Sequence, residues 1–304
     1  MSAVIEVEGL RKHYGRVRAV EDVSFAVRHG EIFGLIGPNG AGKTTTLECV
    51  EGLRVPDAGR IRLFGLDPIR DATALQPRIG VQLQESHLQK RITVREAVDL
   101  WASLYRHPVD GADLVEQLGL QEKRDAWFMT LSGGQKQRLF IALALIHDPE
   151  VVFLDELTTG LDPQARRAIW ELVRGIRSRG KTVVLTTHLM EEAERLCDRV
   201  AIVDGGRLVD SGTPADLVMR HCPERTVAIT TDDAQAPALL AGCPSVARVE
   251  SRPRTLMVHG SGEGLLDQVL ECLSTHRVHV TAVQSQSATL EDVFLRLTGH
   301  SVRT

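Results

Sequence analysis

Eight consecutive residues, Gly37-Pro38-Asn39-Gly40-Ala41-Gly42-Lys43-Thr44, fit the pattern G-x-x-x-x-G-K-[ST]. In that pattern backbone N–H groups wrap phosphates while the lysine reaches the terminal ones, so the chain is expected to bind a nucleoside triphosphate. A second group could act on it. The apolar run Val151-Val152-Phe153-Leu154 ends in Asp155 and Glu156, and acids at the carboxyl end of a parallel strand face the ligand crevice. Asp155 would hold Mg²⁺, directly or through water, together with the Thr44 hydroxyl. Glu156 is then free to orient or deprotonate an attacking water. A third group, Leu131-Ser132-Gly133-Gly134-Gln135 followed by Lys136-Gln137-Arg138-Leu139, places a hydroxyl and two glycines at a helix start, a second N-terminus suited to an anion. Spacing alone leaves open whether the two helix ends fold together or serve different subunits.

These groups need elements to hold them. Residues 31–36 read as a short apolar strand entering the phosphate loop, and 43–51 as a helix leaving it. The unpaired N–H groups of such a helix, with a partial charge of about +0.5, suit a polyanion. Residues 3–36 alternate apolar and polar with turns near Gly15 and Gly30, which predicts several strands and a mixed sheet. A turn at 56–59 precedes a strand at 60–64, and residues 94–147 read as helical throughout. From 151 the pattern alternates: strand 151–155, helix 163–179, strand 182–187, helix 190–197. That alternation argues for a parallel α/β sheet. A hairpin over 200–211, turning at Asp204-Gly205-Gly206, closes this part, and the boundary is expected near 222. Strand 226–231, helix 234–241, strands 246–251 and 254–259, helix 262–276 and strand 277–284 follow in the order βαββαβ, a ferredoxin-like α+β arrangement. A last helix opens on Thr289-Leu290-Glu291-Asp292, a capping box.

The 304 residues, 43% hydrophobic and 25% charged, suit one large core or two domains. A net charge of −4 provides no basic field for nucleic acid. No apolar run approaches the roughly 18 to 20 residues that span a bilayer, and the first residues lack the basic and apolar regions of a signal peptide. The chain is thus expected to be soluble and cytoplasmic. Five scattered cysteines without a C-x-x-C pair read as inert thiols rather than a disulfide framework or zinc site.

In their order along the chain, the phosphate loop, the 131–135 string and the Asp155-Glu156 strand resemble the ATPase domain of ABC transporters over about residues 3–215, with Leu-Ser-Gly-Gly-Gln as that superfamily's signature. The resemblance implies a P-loop NTPase of α/β class in residues 1–222. This has a RecA-like core, an antiparallel β subdomain and a helical subdomain at about 85–150, leaving 223–304 as a small accessory or regulatory domain. It implies ATP and Mg²⁺, with the loop from Gly37 to Thr44 and the adjoining Thr45 on the nucleotide. Tyr14 would stack on adenine, Gln84 would contact Mg²⁺ and sense the membrane partner, and His188 would touch the γ-phosphate. Gln84 is chosen over Gln82 because it lies five residues after Ile79. Asp162 matches the acid of the loop crossing between subunits. Two subunits would face head to tail as a homodimer, with Ser132, Gly133, Gly134 and Gln135 of one covering ATP on the other. Lys43, Gln84, Glu156 and His188 then form the catalytic set. Leu157 stands where the family usually has proline, a change expected to alter rigidity rather than chemistry.

The string from Thr187 to Val200, Thr-His-Leu-Met-Glu-Glu-Ala-Glu-Arg-Leu-Cys-Asp-Arg-Val, and the string from Leu290 to Gly299, Leu-Glu-Asp-Val-Phe-Leu-Arg-Leu-Thr-Gly, are similar to the drug-resistance, daunorubicin-type branch. That branch implies a separate ABC-2-type permease, export of a drug, antibiotic or other hydrophobic compound, and a place on the cytoplasmic face of the membrane. The surface coupled to the permease would be the segment 85–125, in a groove beside Gln84. The rival expectation, a soluble ABC protein acting on nucleic acid or ribosomes, is opposed by the single phosphate loop and the lack of heptad runs.

Overall fold

The computed structural model describes residues 3–83, 87–261, 264–286 and 288–299. They form two compact units, one running to Pro214 and the other starting at Ala215.

In the first unit β1 (Ala3–Tyr14) and β2 (Val17–Arg28) form an antiparallel hairpin, followed by β3 (Ile32–Ile36) and α1 (Lys43–Val50). Next come β4 (Ala58–Leu63), α2 (Ala72–Leu75), β5 (Ile79–Gln82), α3 (Val94–Ala102), α4 (Gly111–Gln117) and α5 (Gly133–Leu145). The unit ends with β6 (Val151–Asp155), α6 (Pro163–Ser178), β7 (Thr182–Thr187), α7 (Met190–Leu196), β8 (Arg199–Asp204) and β9 (Arg207–Gly212). Nine strands share one mixed sheet in the order β4-β1-β2-β9-β8-β3-β7-β6-β5.

Every residue of β3, β6 and β7 is buried, which is why these strands read as continuous apolar runs rather than alternating ones. One covering helix, α6, is opened by Asp162, whose carboxylate accepts from the N–H groups of Gln164 and Ala165 at 2.9 Å each. Its buried stripe, Ile169, Trp170, Val173 and Ile176, keeps the three-and-four spacing of a helix face. The β8–β9 turn uses Gly205 (φ 54°) and Gly206 (φ 75°), two successive left-handed residues of the kind tight hairpins require.

Residues 94–147 are not helical throughout. Pro108 lacks an N–H and disfavours helix at the residue before it, so α3 and α4 are separate. Gly119, at φ 65°, ends the turn after α4, and only two short 3₁₀ turns intervene before α5.

The second unit contains α8 (Pro214–His221), β10 (Glu224–Thr230), α9 (Ala236–Ala241), β11 (Val246–Arg252), β12 (Thr255–Ser261), α10 (Leu265–Thr275), β13 (Ala282–Gln286) and α11 (Leu290–Thr298). Its antiparallel sheet has the order β11-β12-β10-β13 and packs over Val227, Ile229, Leu240, Val258 and Val269. The expected strand at 277–284 begins only at Ala282. Residues just after α10 instead close that helix, with Arg277 at φ 54° and the Val278 N–H donating to the Leu273 carbonyl at 3.0 Å. The chain divides at 214 rather than 222 because α8 groups with this second unit.

Candidate active site

The phosphate loop links the end of β3 to α1. Gly42, the N-cap of α1, sits at φ 96° with no side-chain cap on the helix, so the first N–H groups of α1 stay available to an anion. A Cβ on Gly42 would stand 2.2 Å from the Ala19 carbonyl oxygen, a second reason for glycine there. Lys43 is only 4% exposed. Its Nζ donates to the Pro38 carbonyl at 3.0 Å and lies 3.8 Å from Glu156 Oε1. Burial lowers its pKa, opposed by the charges of Glu156 and Asp155.

Parallel pairing brings the other groups to this point. Ile36 pairs with Thr187, and Asp155 with Thr186, so β3, β7 and β6 end in line with β7 in the middle. The Gly37 N–H donates to the Thr187 carbonyl at 3.3 Å, tying the loop's start to β7. Asp155 is buried; its Oδ1 accepts from Thr44 Oγ1 at 3.4 Å and also from the Thr186 hydroxyl. Burial raises the Asp155 pKa, opposed by these two hydrogen bonds.

Glu156 has left-handed backbone at φ 46°, a conformation costly for a residue with a side chain. Its N–H donates to Thr186, reaching the carbonyl at 3.2 Å and Oγ1 at 3.1 Å, and its Oε2 accepts from Thr159 Oγ1 at 3.3 Å. His188 follows β7, with Nδ1 3.4 Å from Glu156 Oε1 in an alignment that leaves Nδ1 without a hydrogen bond. Four predicted residues, Lys43, Asp155, Glu156 and His188, thus share one crevice. Thr186, which hydrogen-bonds both Asp155 and Glu156, belongs to no motif in the sequence; its signal there is the polar pair Thr186-Thr187 closing an otherwise apolar strand.

The remaining predicted residues are distributed differently. Tyr14 ends β1 with its ring 40% exposed, Lys12 Nζ at 5.7 Å and Arg54 at 5.5 Å from its centroid. Gln84 lies outside the described residues. The fallback Gln82 is buried in β5, with Nε2 donating to the Leu83 carbonyl at 2.6 Å. Ser132 caps α5: its hydroxyl accepts from the Gln135 N–H at 3.3 Å, and Gln135 Oε1 accepts from the Ser132 N–H at 2.9 Å. Gly134 packs so closely on the α6 start that a Cβ would meet Ala165 at 3.1 Å. Asp162, which caps α6, therefore neighbours this turn. Leu157 is buried, at 2% exposure.

Residues 20–159 match the family model of the ABC transporter. Over 99% of this chain and 95% of its own length, the Nod factor export ATP-binding protein I of Ralstonia nicotianae is 41% identical. The protein of the same name from Paraburkholderia xenovorans is also 41% identical, over 99% of both chains. The chain belongs to the ABC transporter ATP-binding proteins. As a member of that family it binds ATP and is an ATPase. Two solved ABC ATPases superpose on 71% of the chain: an ATP-binding subunit of an ABC transporter (30% identity, TM-score 0.64, 92% of its own chain) and cbiO1 of Clostridium perfringens (28%, 0.65, 91%). In this ABC ATPase the crevice offers a buried cation, a carboxylate pair and an imidazole beside a free helix N-terminus, the groups needed to hold a triphosphate and align water for in-line attack.

Proposed function

We propose that this chain is the ATP-hydrolysing subunit of a membrane exporter, with Glu156 activating water, His188 and Lys43 contacting the γ-phosphate, and the loop from Gly37 to Thr45 wrapping the triphosphate. The observation that carries this is the convergence of Lys43 and His188 on one carboxylate oxygen of Glu156, at 3.8 and 3.4 Å. Thr44 Oγ1 and Asp155 Oδ1, hard oxygen donors 3.4 Å apart, fit Mg²⁺. Bound there, the ion would offset negative charge on the β and γ phosphates. Tyr14, 40% exposed, would stack on adenine, and Gln84 would contact the ion and report on the partner.

Ser132, Gly133, Gly134 and Gln135 act on the ATP of a second copy in a head-to-tail homodimer, with Asp162 at the crossing. Among the described residues no hydrogen bond or ion pair joins that turn to the phosphate loop of its own chain, which supports its use in trans. The permease is a separate ABC-2-type protein whose short cytoplasmic helix enters a groove on the first unit. No helix among the described residues is long and apolar enough to cross a membrane. As the ATPase partner of a separate permease, the chain is proposed to work as a peripheral subunit on the cytoplasmic face. The relatives are named for Nod factor export. For this chain the cargo is proposed as a drug, antibiotic or other hydrophobic compound, with Nod factor a concrete one to assay.

The test is affinity purification from native membranes, with ATPase activity measured with and without co-purifying proteins. Recovery of a six-helix membrane subunit that changes turnover supports the reading. Recovery of ribosomal or nucleic-acid components alone, with turnover stimulated by them, overturns it.

A further inference from the structure

Beside the catalytic crevice the first unit carries a groove with a cavity of about 390 Å³, lined by Leu53, Leu75, Val81, Trp101, Tyr105 and Leu143 among others. One acid lies in this apolar lining. Glu51, the C-cap of α1, is 7% exposed, and its Oε1 is buried with no hydrogen-bond partner. Among the described residues its carboxyl has no ion pair either, and no lysine or arginine lines the groove. Its position is unfavourable three times over. It is buried, it stands at the negative end of a helix dipole, and Asp155 and Glu48 add like charge. Burial foremost, then the charges of Asp155 and Glu48, push its carboxyl up to about 8.

A local rule broken this plainly, with no compensation among the described residues, is expected where function demands it. The second polar group points the same way. His147 Nε2 sits 2.8 Å from the Ile79 carbonyl, with its ring stacked on Tyr105 at 4.2 Å. A carbonyl only accepts, so Nε2 carries the proton and Nδ1 is an acceptor, also buried without a partner. The groove therefore presents two buried atoms without a hydrogen-bond partner, Glu51 Oε1 and His147 Nδ1. A cationic side chain with several N–H groups complements it.

Taking from the reading above that a short helix of a membrane partner enters a groove on the first unit, we propose that this groove receives it and that Glu51 is the ionic anchor selecting a helix that carries an arginine or lysine within an apolar face. The anchor stands at the far end of the helix that begins with Lys43. The eight residues of α1 span about 12 Å, so the partner's cation would seat on the same rigid element that holds the phosphates.

The test uses the full-length chain and vesicles of the source cell's own membranes, carbonate-washed to remove peripheral proteins. Binding of the wild-type chain, Glu51→Gln and Glu51→Leu is measured by cosedimentation, with circular dichroism as the folding control. Vesicles are used untreated or with their arginines and lysines blocked by phenylglyoxal and an acylating reagent. The expected result is saturable wild-type binding, weakened on the order of 10- to 100-fold by either substitution. Blocking the vesicles should weaken wild-type binding to the variants' level while leaving the variants unchanged. Equal binding of wild type and variants overturns the anchor but leaves the exporter reading standing. Loss in the variants without an effect of blocking overturns the cationic partner. Failure of the wild type to bind at all overturns the exporter reading, and the anchor with it.

Discussion

Glu51→Gln should change how the stability of the first unit depends on pH. Glutamine keeps the shape of the side chain but has no proton to bind. In the folded chain the Glu51 carboxyl titrates at about 8 rather than the ordinary 4.5, with burial the largest cause. The folded state therefore keeps the proton to higher pH than the unfolded state does. The resulting stabilisation is fully present below about pH 4.5 and is lost as pH rises through about 8. Between those values the slope is about −1.4 kcal/mol per pH unit, since one pKa unit is worth that much. From pH 5.5 to 7.5 the wild type should lose roughly 2.7 kcal/mol relative to the variant. With a urea slope of about 1–3 kcal/mol per M, this is a relative midpoint shift of about 1 M or more. Trp101, Trp127 and Trp170 are the only tryptophans and all precede residue 214, so tryptophan fluorescence in a urea titration reports on the first unit alone. Midpoints that move in parallel between pH 5.5 and 7.5 would refute the argument that this carboxyl is buried without a partner.

Glu156→Gln should slow ATP hydrolysis by about 10² to 10⁴ with nucleotide affinity retained; single-turnover kinetics at the wild-type rate would remove Glu156 from the role of base. Lys43→Ala should abolish ATP binding by calorimetry, because it deletes the buried cation of the loop, and wild-type affinity would contradict its assignment. Thr186→Val should cost about 0.5–1.5 kcal/mol for each lost hydrogen bond, one to Asp155 Oδ1 and one from the Glu156 N–H, while Thr44 and the Thr186 carbonyl keep theirs. It should lower kcat more than ATP affinity, and an unchanged melting temperature with unchanged kcat would show that Thr186 positions neither acid. Ser132→Ala should destabilise α5 by about 1 kcal/mol through its lost cap, measured as a fall in thermal midpoint.

Local chemistry was legible where a residue's role follows from its own sequence neighbours. The phosphate loop declares itself because a fixed spacing of glycines, lysine and threonine is required within one turn of chain. The Gly205-Gly206 turn and the capping boxes at Ser132 and Thr289 are equally local. Breaks in the 94–147 stretch were missed because apolar residues keep helical spacing on both sides of Pro108 and Gly119, and spacing does not register a chain that stops and restarts. Glu51 was unremarkable in sequence, since an acid at the end of a helix is ordinary until its surroundings are known to be apolar.

The sequence by itself determined that the chain has a triphosphate loop, a strand ending in two acids and a signature turn, because each is written in consecutive residues. Only the tertiary structure decided that they meet. A parallel strand must reach its partner by a long crossover, and β3 pairs with β7, some 150 residues later, before β6 joins on the far side. Alternation and apolar runs report that a strand is buried but not which strand lies beside it. The contacts of Thr186 with Asp155 and Glu156, and of His188 with Glu156, therefore exist only once β7 is inserted between β3 and β6.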